Sequence, residues 1–153
     1  MVEEKLKVKD RVTIELIDKK SGKVILKKTL ENVISRYGAQ RVMYQYDGQG
    51  TIPSGPPVNK VNLYYTGASN EAPVVSLTGS YGSRQDTGNS FQNTLTATDS
   101  SSATYSFRYL GLDVSSDVPG WTNNYHKYDY GSVVTKGSDQ TLRVTWTVVV
   151  PYS

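Results

Sequence analysis

The sequence predicts an all-β protein: an antiparallel β-sandwich, jelly-roll or immunoglobulin-like, with an N-terminal β-hairpin and one short helix. Three observations predict it. The chain closes on "TLRVTWTVVVPYS", where Leu142, Val144, Trp146, Val148 and Val150 alternate with Thr141, Arg143, Thr145 and Thr147, the period-two pattern of a strand buried on one face. Its opening run "LKVKDRVTIELID" keeps Leu6, Val8, Val12, Ile14 and Leu16 in one register between charged residues. Between these ends, short apolar runs recur, each bounded by Gly, Ser, Asn or Asp, a spacing that favours an antiparallel sandwich or barrel over any βαβ arrangement.

At 153 residues the chain suits one domain, residues 1–153, with a core that needs no covalent staples. The hairpin spans 5–31: "KKSG" supplies the turn, and "KVILKKTLENVI" returns with Val24, Leu26 and Leu30 in register. Asp10 interrupts the inward face and marks a bulge or strand break there. From Ser35, a plausible N-cap, Tyr37, Arg41 and Tyr44 fall at helical spacing, which predicts a short helix over 35–46 that Gly38 weakens. A loop comes next over 47–58, because Pro53, Pro56 and Pro57 would remove ladder donors from a strand.

The remaining strands occupy 59–150. "VNLYYTG" alternates Val61, Leu63 and Tyr65, and "PVVSLTGSY" is a second run. "SFQNTLTAT" places Phe91, Leu95 and Ala97 together, and "ATYSFRYLGL" does so for Tyr105, Phe107 and Tyr109. The terminal strand is then central in its sheet, with Trp146 a core aromatic.

Composition narrows the chemistry. There is no cysteine, so disulfides, thiolate metal sites and cysteine catalysis drop out. The charged start "MVEEKLKVKD" lacks the apolar segment of a secretory signal, and no run reaches the length of a membrane span. The formal charge is +3, and its excess sits in the hairpin, where lysines on a solvated face discourage edge-to-edge pairing. Nucleic acid is not the expected partner.

The only histidine, His126, lies near Asp113, Asp117 and Asp129, but "DVSSDVPG" lacks the alternating oxygen ligands of a calcium loop, so no metal site is assigned. The serines of "TDSSSATY" and "LTGSYGSR" sit in turn-like stretches without a strained elbow, "GSYGSR" has no following lysine or helix, and no catalytic residue or cofactor is assigned. Tyrosine is the unusual feature, twelve against two phenylalanines. Tyrosine supplies contact area while tolerating water. Its densest group, Trp121, Tyr125, Tyr128 and Tyr130 around His126, is the candidate ligand- or partner-binding site. The alternative is that these rings cover the sandwich edge.

Taken in order, "LENVISRYGAQRVMYQY", "VNLYYTGAS" and "DQTLRVTWTVVV" resemble small virion and tail-fibre-like structural proteins of phages and archaeal viruses. The matching residues are Asn32, Val33, Ile34 and Gly38, then Thr66 and Gly67, then Leu142, Val144, Trp146 and Val148. The Pro/Gly-rich loop and the bare "TGA" turn depart from that pattern. The resemblance implies a non-enzymatic fibre, turret or tail-surface component, made in the host cytoplasm. It would assemble with itself as a symmetric homo-oligomer and with other virion proteins, and would meet a host-surface glycan or protein. A carbohydrate-binding or adhesin-like module is the alternative, and a small sandwich hydrolase a third.

Overall fold

A computed structural model describes residues 9–31, 58–68, 71–114 and 128–152. The predicted helix at 35–46 and the loop up to residue 57 lie outside them, as do residues 5–8 of the hairpin. The chain is all-β, with two antiparallel sheets, the components the predicted sandwich requires. Its residues divide into two compact units, one drawing on Met1–Val33, Gly79–Tyr105 and Thr135–Ser153, the other on Ile34–Thr78 and Ser106–Val134.

In the first unit, the hairpin forms as predicted from β1 (Lys9–Asp18) and β2 (Val24–Glu31). Its turn is held by Asp18, whose Oδ2 accepts bonds from Ser21 N at 2.9 Å and Ser21 Oγ at 2.6 Å, with Gly22 at φ 70°, a conformation that favours glycine. Asp10 does not break the strand. It pairs with Val148 in unbroken register, and the irregularity falls instead against Leu16 and Ile17. An extra residue in one strand shifts the facing of its neighbours, so Val24, predicted to face inward with Leu26 and Leu30, is 46% exposed.

β10 (Gln140–Pro151) lies between β1 and β7 (Ser90–Asp99). Its predicted central place is correct: Leu142, Val144 and Trp146 are buried beside Ile14, Val12, Leu95 and Ala97 of its neighbours. Alternation fails only where the sheet runs out, since Phe91 and Val150 oppose one another near its end and are both exposed.

"PVVSLTGSY" is two strands. β4 (Val75–Thr78) pairs with a strand of the second sheet, whereas β5 (Ser80–Tyr81), within a stretch read as a turn, pairs with β7 of the first. The residue at the change is Gly79. A Cβ there would stand 2.7 Å from Leu95 Cδ1 and 2.8 Å from the Thr96 carbonyl oxygen, and a ladder carbonyl does not move aside cheaply. Gly79→Ala is therefore expected to cost about 1–3 kcal/mol, seen as a lower urea midpoint at unchanged slope. β6 (Gln85–Asp86), unforeseen, also pairs with β7.

The second sheet has the order β4-β3-β8-β9, with β3 (Val58–Tyr64), β8 (Tyr105–Val114) and β9 (Tyr128–Lys136). β3 is buried on both faces: Val61, Asn62, Leu63 and Tyr64 are all inaccessible, and Tyr65, predicted inward, is half exposed. β8 likewise buries Leu110 as well as Phe107. A strand covered on both sides carries no polar alternation to read. Beyond β3, the "TGA" turn is organised by Glu71, whose carboxylate accepts from Tyr65 N, Thr66 N and Thr66 Oγ1 at 2.6–3.2 Å.

Candidate functional site

Odd-numbered residues of β1 and β10, and even-numbered residues from Thr94 to Thr98 of β7, point away from the buried face and form ordered rows across the first sheet. Thr29, Thr13, Thr145, Thr96 and Ser80 stand opposite one another in sequence across five strands. β-branched threonine suits a strand while its hydroxyl stays wet, and hydroxyls pair laterally, Thr13 with Thr29 and Thr94 with Thr147, each at 3.0 Å. The flanking rows are charged. Lys27 opposes Glu15, which opposes Arg143, and the Arg143 guanidinium donates to Glu15 Oε1 at 3.0 and 3.2 Å. Toward the other end Glu31 opposes Arg11. A shallow depression of about 420 Å³ opens there, lined by Lys9, Arg11, Glu31, Gln92, Thr94 and Thr147 among others. This face offers hydroxyls and paired charges to a partner surface.

A second surface lies where β7 begins and β10 ends. The Phe91 ring lies 5.0 Å from that of Tyr152, tilted by 50°, and Phe91 and Val150 are 43% and 38% exposed. Backbone and side-chain bonds fix these groups. Tyr152 N donates to Asn89 O at 2.9 Å, Thr87 N to Ser90 O at 2.9 Å, and Gly88 N to Asp86 Oδ1 at 2.9 Å. The Tyr152 hydroxyl donates to Asp86 Oδ1. That bond, with the Gly88 N–H, holds the Asp86 carboxyl below its ordinary range, and the same bond to Asp86 raises the Tyr152 phenol. Tyr152 is thus anchored at both its backbone and its hydroxyl beside the exposed Phe91 ring.

Of the predicted binding group, Trp121, Tyr125 and His126 lie outside the described residues. Tyr128 and Tyr130 belong to strand β9 rather than to a loop. Tyr130 is buried, and burial raises its phenol above the ordinary tyrosine range, so its ring is packed rather than presented, the alternative weighed for this group. Asp129 points out between them and is engaged by Arg108, Nε to Oδ1 at 2.7 Å and Nη2 to Oδ2 at 3.0 Å. This bidentate pair, first, and the Gly131 N–H keep the carboxyl well below the usual range.

The buried lysine of β9 escaped sequence reasoning. Lys136 is fully buried, its Nζ donating to the carbonyls of Ser101 and Ala103 at 2.8 Å and of Gly137 at 3.2 Å. In β9 Lys136 shares the parity of Tyr130 and Val134, a pattern that counts only once the strand and its buried face are known.

Compared with known proteins, the chain matches no family, no curated protein and no solved structure. Among the described residues no helix is long and apolar enough to cross a membrane.

Proposed function

We infer that this chain is a non-enzymatic structural component of a virus particle, a fibre, turret or tail-surface protein working as a symmetric homo-oligomer and contributing to host attachment. The observation that carries the oligomer is the patch of exposed Phe91 and Val150 beside Tyr152, whose hydroxyl and backbone N–H are bonded to Asp86 and Asn89. Interfaces enrich aromatic residues at their centres, and groups already fixed lose little freedom on binding. The resemblance of its motif order to virion and tail-fibre-like proteins supports the viral context, and the tyrosine-rich composition of the segment around His126 supports a part in attachment.

Light scattering tests the reading. A discrete oligomer is expected, and Phe91→Asp, which places a charge in the patch at an already exposed position, is expected to lower its mass while leaving the β-sheet circular dichroism unchanged. A strict monomer at high concentration overturns the proposal. A monomer that binds on a glycan array would point to a carbohydrate-binding module instead.

A further inference from the structure

Hydrogen-bonded to β1 on one side, β2 ends the first sheet, and among the described residues no strand pairs with its other side. Edge strands template pairing with other chains, and proteins guard them with lysine. Lys27 and Lys28 do guard this one, against all but a matching sequence.

We propose that β2 pairs antiparallel with β2 of a second copy across a two-fold axis at Thr29, joining two six-stranded sheets into one. The inference rests on the homo-oligomer reading and names a contact surface for it. Side chains alternate with period two, so only registers centred on a residue keep the two buried faces on the same side. Centring on Lys27 or Lys28 would set a lysine against its own copy. Centring on Thr29 sets Lys27 against the second copy's Glu31, and Glu31 against its Lys27, two opposite-charge pairs from one axis. Leu26–Glu31, the stretch involved, pairs with β1 without irregularity, and Lys27, Thr29 and Glu31 are exposed.

The match extends into the sheet. Arg143, Glu15 and Lys27 already stand in line, and pairing adds the second copy's Glu31 and then its Arg11, so the sign of charge alternates along the whole row. The threonine row likewise continues, Thr145, Thr13 and Thr29 meeting Thr29, Thr13 and Thr145 of the second copy. Opposite charges directly across an antiparallel pair stabilise it and like charges destabilise it, so the Thr29 register, which alone sets Lys27 against Glu31, is favoured over those centred on Lys27, Lys28 or Glu31. The apolar patch at the start of β7 lies toward the opposite edge of this sheet. With a contact at each edge the assembly can grow beyond a dimer.

Charge exchange in the full-length protein tests this. K27E makes the two paired positions both acidic and E31K makes them both basic, so each variant alone is expected to lose the edge contact. An equal mixture is expected to restore it as a heterodimeric pairing, read by light scattering and by native mass spectrometry. A second variant needs no charge change. The chain has no cysteine, so T29C places one thiol per copy on the proposed axis, and a disulfide or a short bis-maleimide bridge is expected within the oligomer. T98C, exposed on the same face but on β7, is expected to remain unbridged. An oligomer that keeps its mass in K27E and E31K, and leaves T29C unbridged, overturns edge pairing and leaves the homo-oligomer reading standing. A wild-type monomer overturns both.

Discussion

Replacing Trp146 with alanine is expected to lower the free energy of unfolding by about 3–5 kcal/mol, the range for removing a large aromatic from a core. Trp146 sits in the middle of the central strand of the first sheet, opposite Val12 on β1 and Leu95 on β7. All three are buried, so the void left by the indole has rigid walls and cannot close by side-chain rotation alone. Trp146→Phe separates shape from polarity. The indole Nε1 has no hydrogen-bond partner among the described residues, and an unsatisfied buried donor is itself costly. The phenylalanine variant gives up area but removes that donor, and its loss is expected to be the smaller by about 2 kcal/mol or more. Urea unfolding at one fixed protein concentration reads both, since oligomerisation makes apparent stability depend on concentration. A loss below about 1 kcal/mol for Trp146→Ala would remove this residue from the core.

Lys136→Met is expected to cost about 2–4 kcal/mol although it nearly conserves volume and removes a charge from the interior. The ammonium is the donor for three main-chain carbonyls, those of Ser101, Ala103 and Gly137. It also lies 5.7 Å from the centre of the Tyr105 ring. Methionine takes the donor from the Ala103 carbonyl and removes the charged donor from the other two, of which Gly137 O keeps the Gln140 N–H at 3.3 Å. Lys19 reaches Ser101 O at 3.3 Å and Ser138 O at 3.2 Å, so the segment after β7 keeps one anchor and the fold survives. Next to it, Tyr105 donates to Asp99 Oδ2 at 2.7 Å. Burial tends to raise the Asp99 carboxyl, but hydrogen bonds from Ser101 and Tyr105, and then the Lys136 charge, outweigh it and hold the group below its ordinary value of 3.8. A carboxyl depressed in the folded state stabilises it above the unfolded pKa, and that contribution disappears as pH falls through the folded one. Burial, followed by the bond to Asp99, raises the Tyr105 phenol, so its contribution is present below about pH 10 and is lost as pH rises beyond that. Equilibrium unfolding in urea checks the substitution. A change under about 0.5 kcal/mol would mean that water replaces the lysine at no cost.

These two residues show how unevenly the sequence reports on the structure. Trp146 was legible because its strand is covered on one face only, so polar residues mark the other face. Lys136 was not, because a lysine reads as solvated until the segment at Ser101–Ala103 that supplies its carbonyls is known to meet it. The same contrast runs through the candidate surfaces. Threonines at alternate positions of β7 and β10 are plain in the sequence, but their alignment into rows depends on which strands pair and in what register. Phe91 was assigned inward from parity alone, and its exposure comes from its place at the sheet's end. Tyr130 was assigned to a recognition surface from composition, and its burial comes from its membership in β9.

By itself the sequence determined that this protein is all-β, where its first two strands and its last strand lie, and which face of β1 and β10 turns inward, because side-chain alternation is local and is written into consecutive residues. Only the tertiary structure decided that Gly79 divides one run between two sheets, that β3 and β8 are covered on both faces, that Lys136 is buried, and that β2, among the described residues, pairs with β1 alone. Each of these depends on pairing between segments far apart in the chain, and no periodicity within a segment records which partner it will meet.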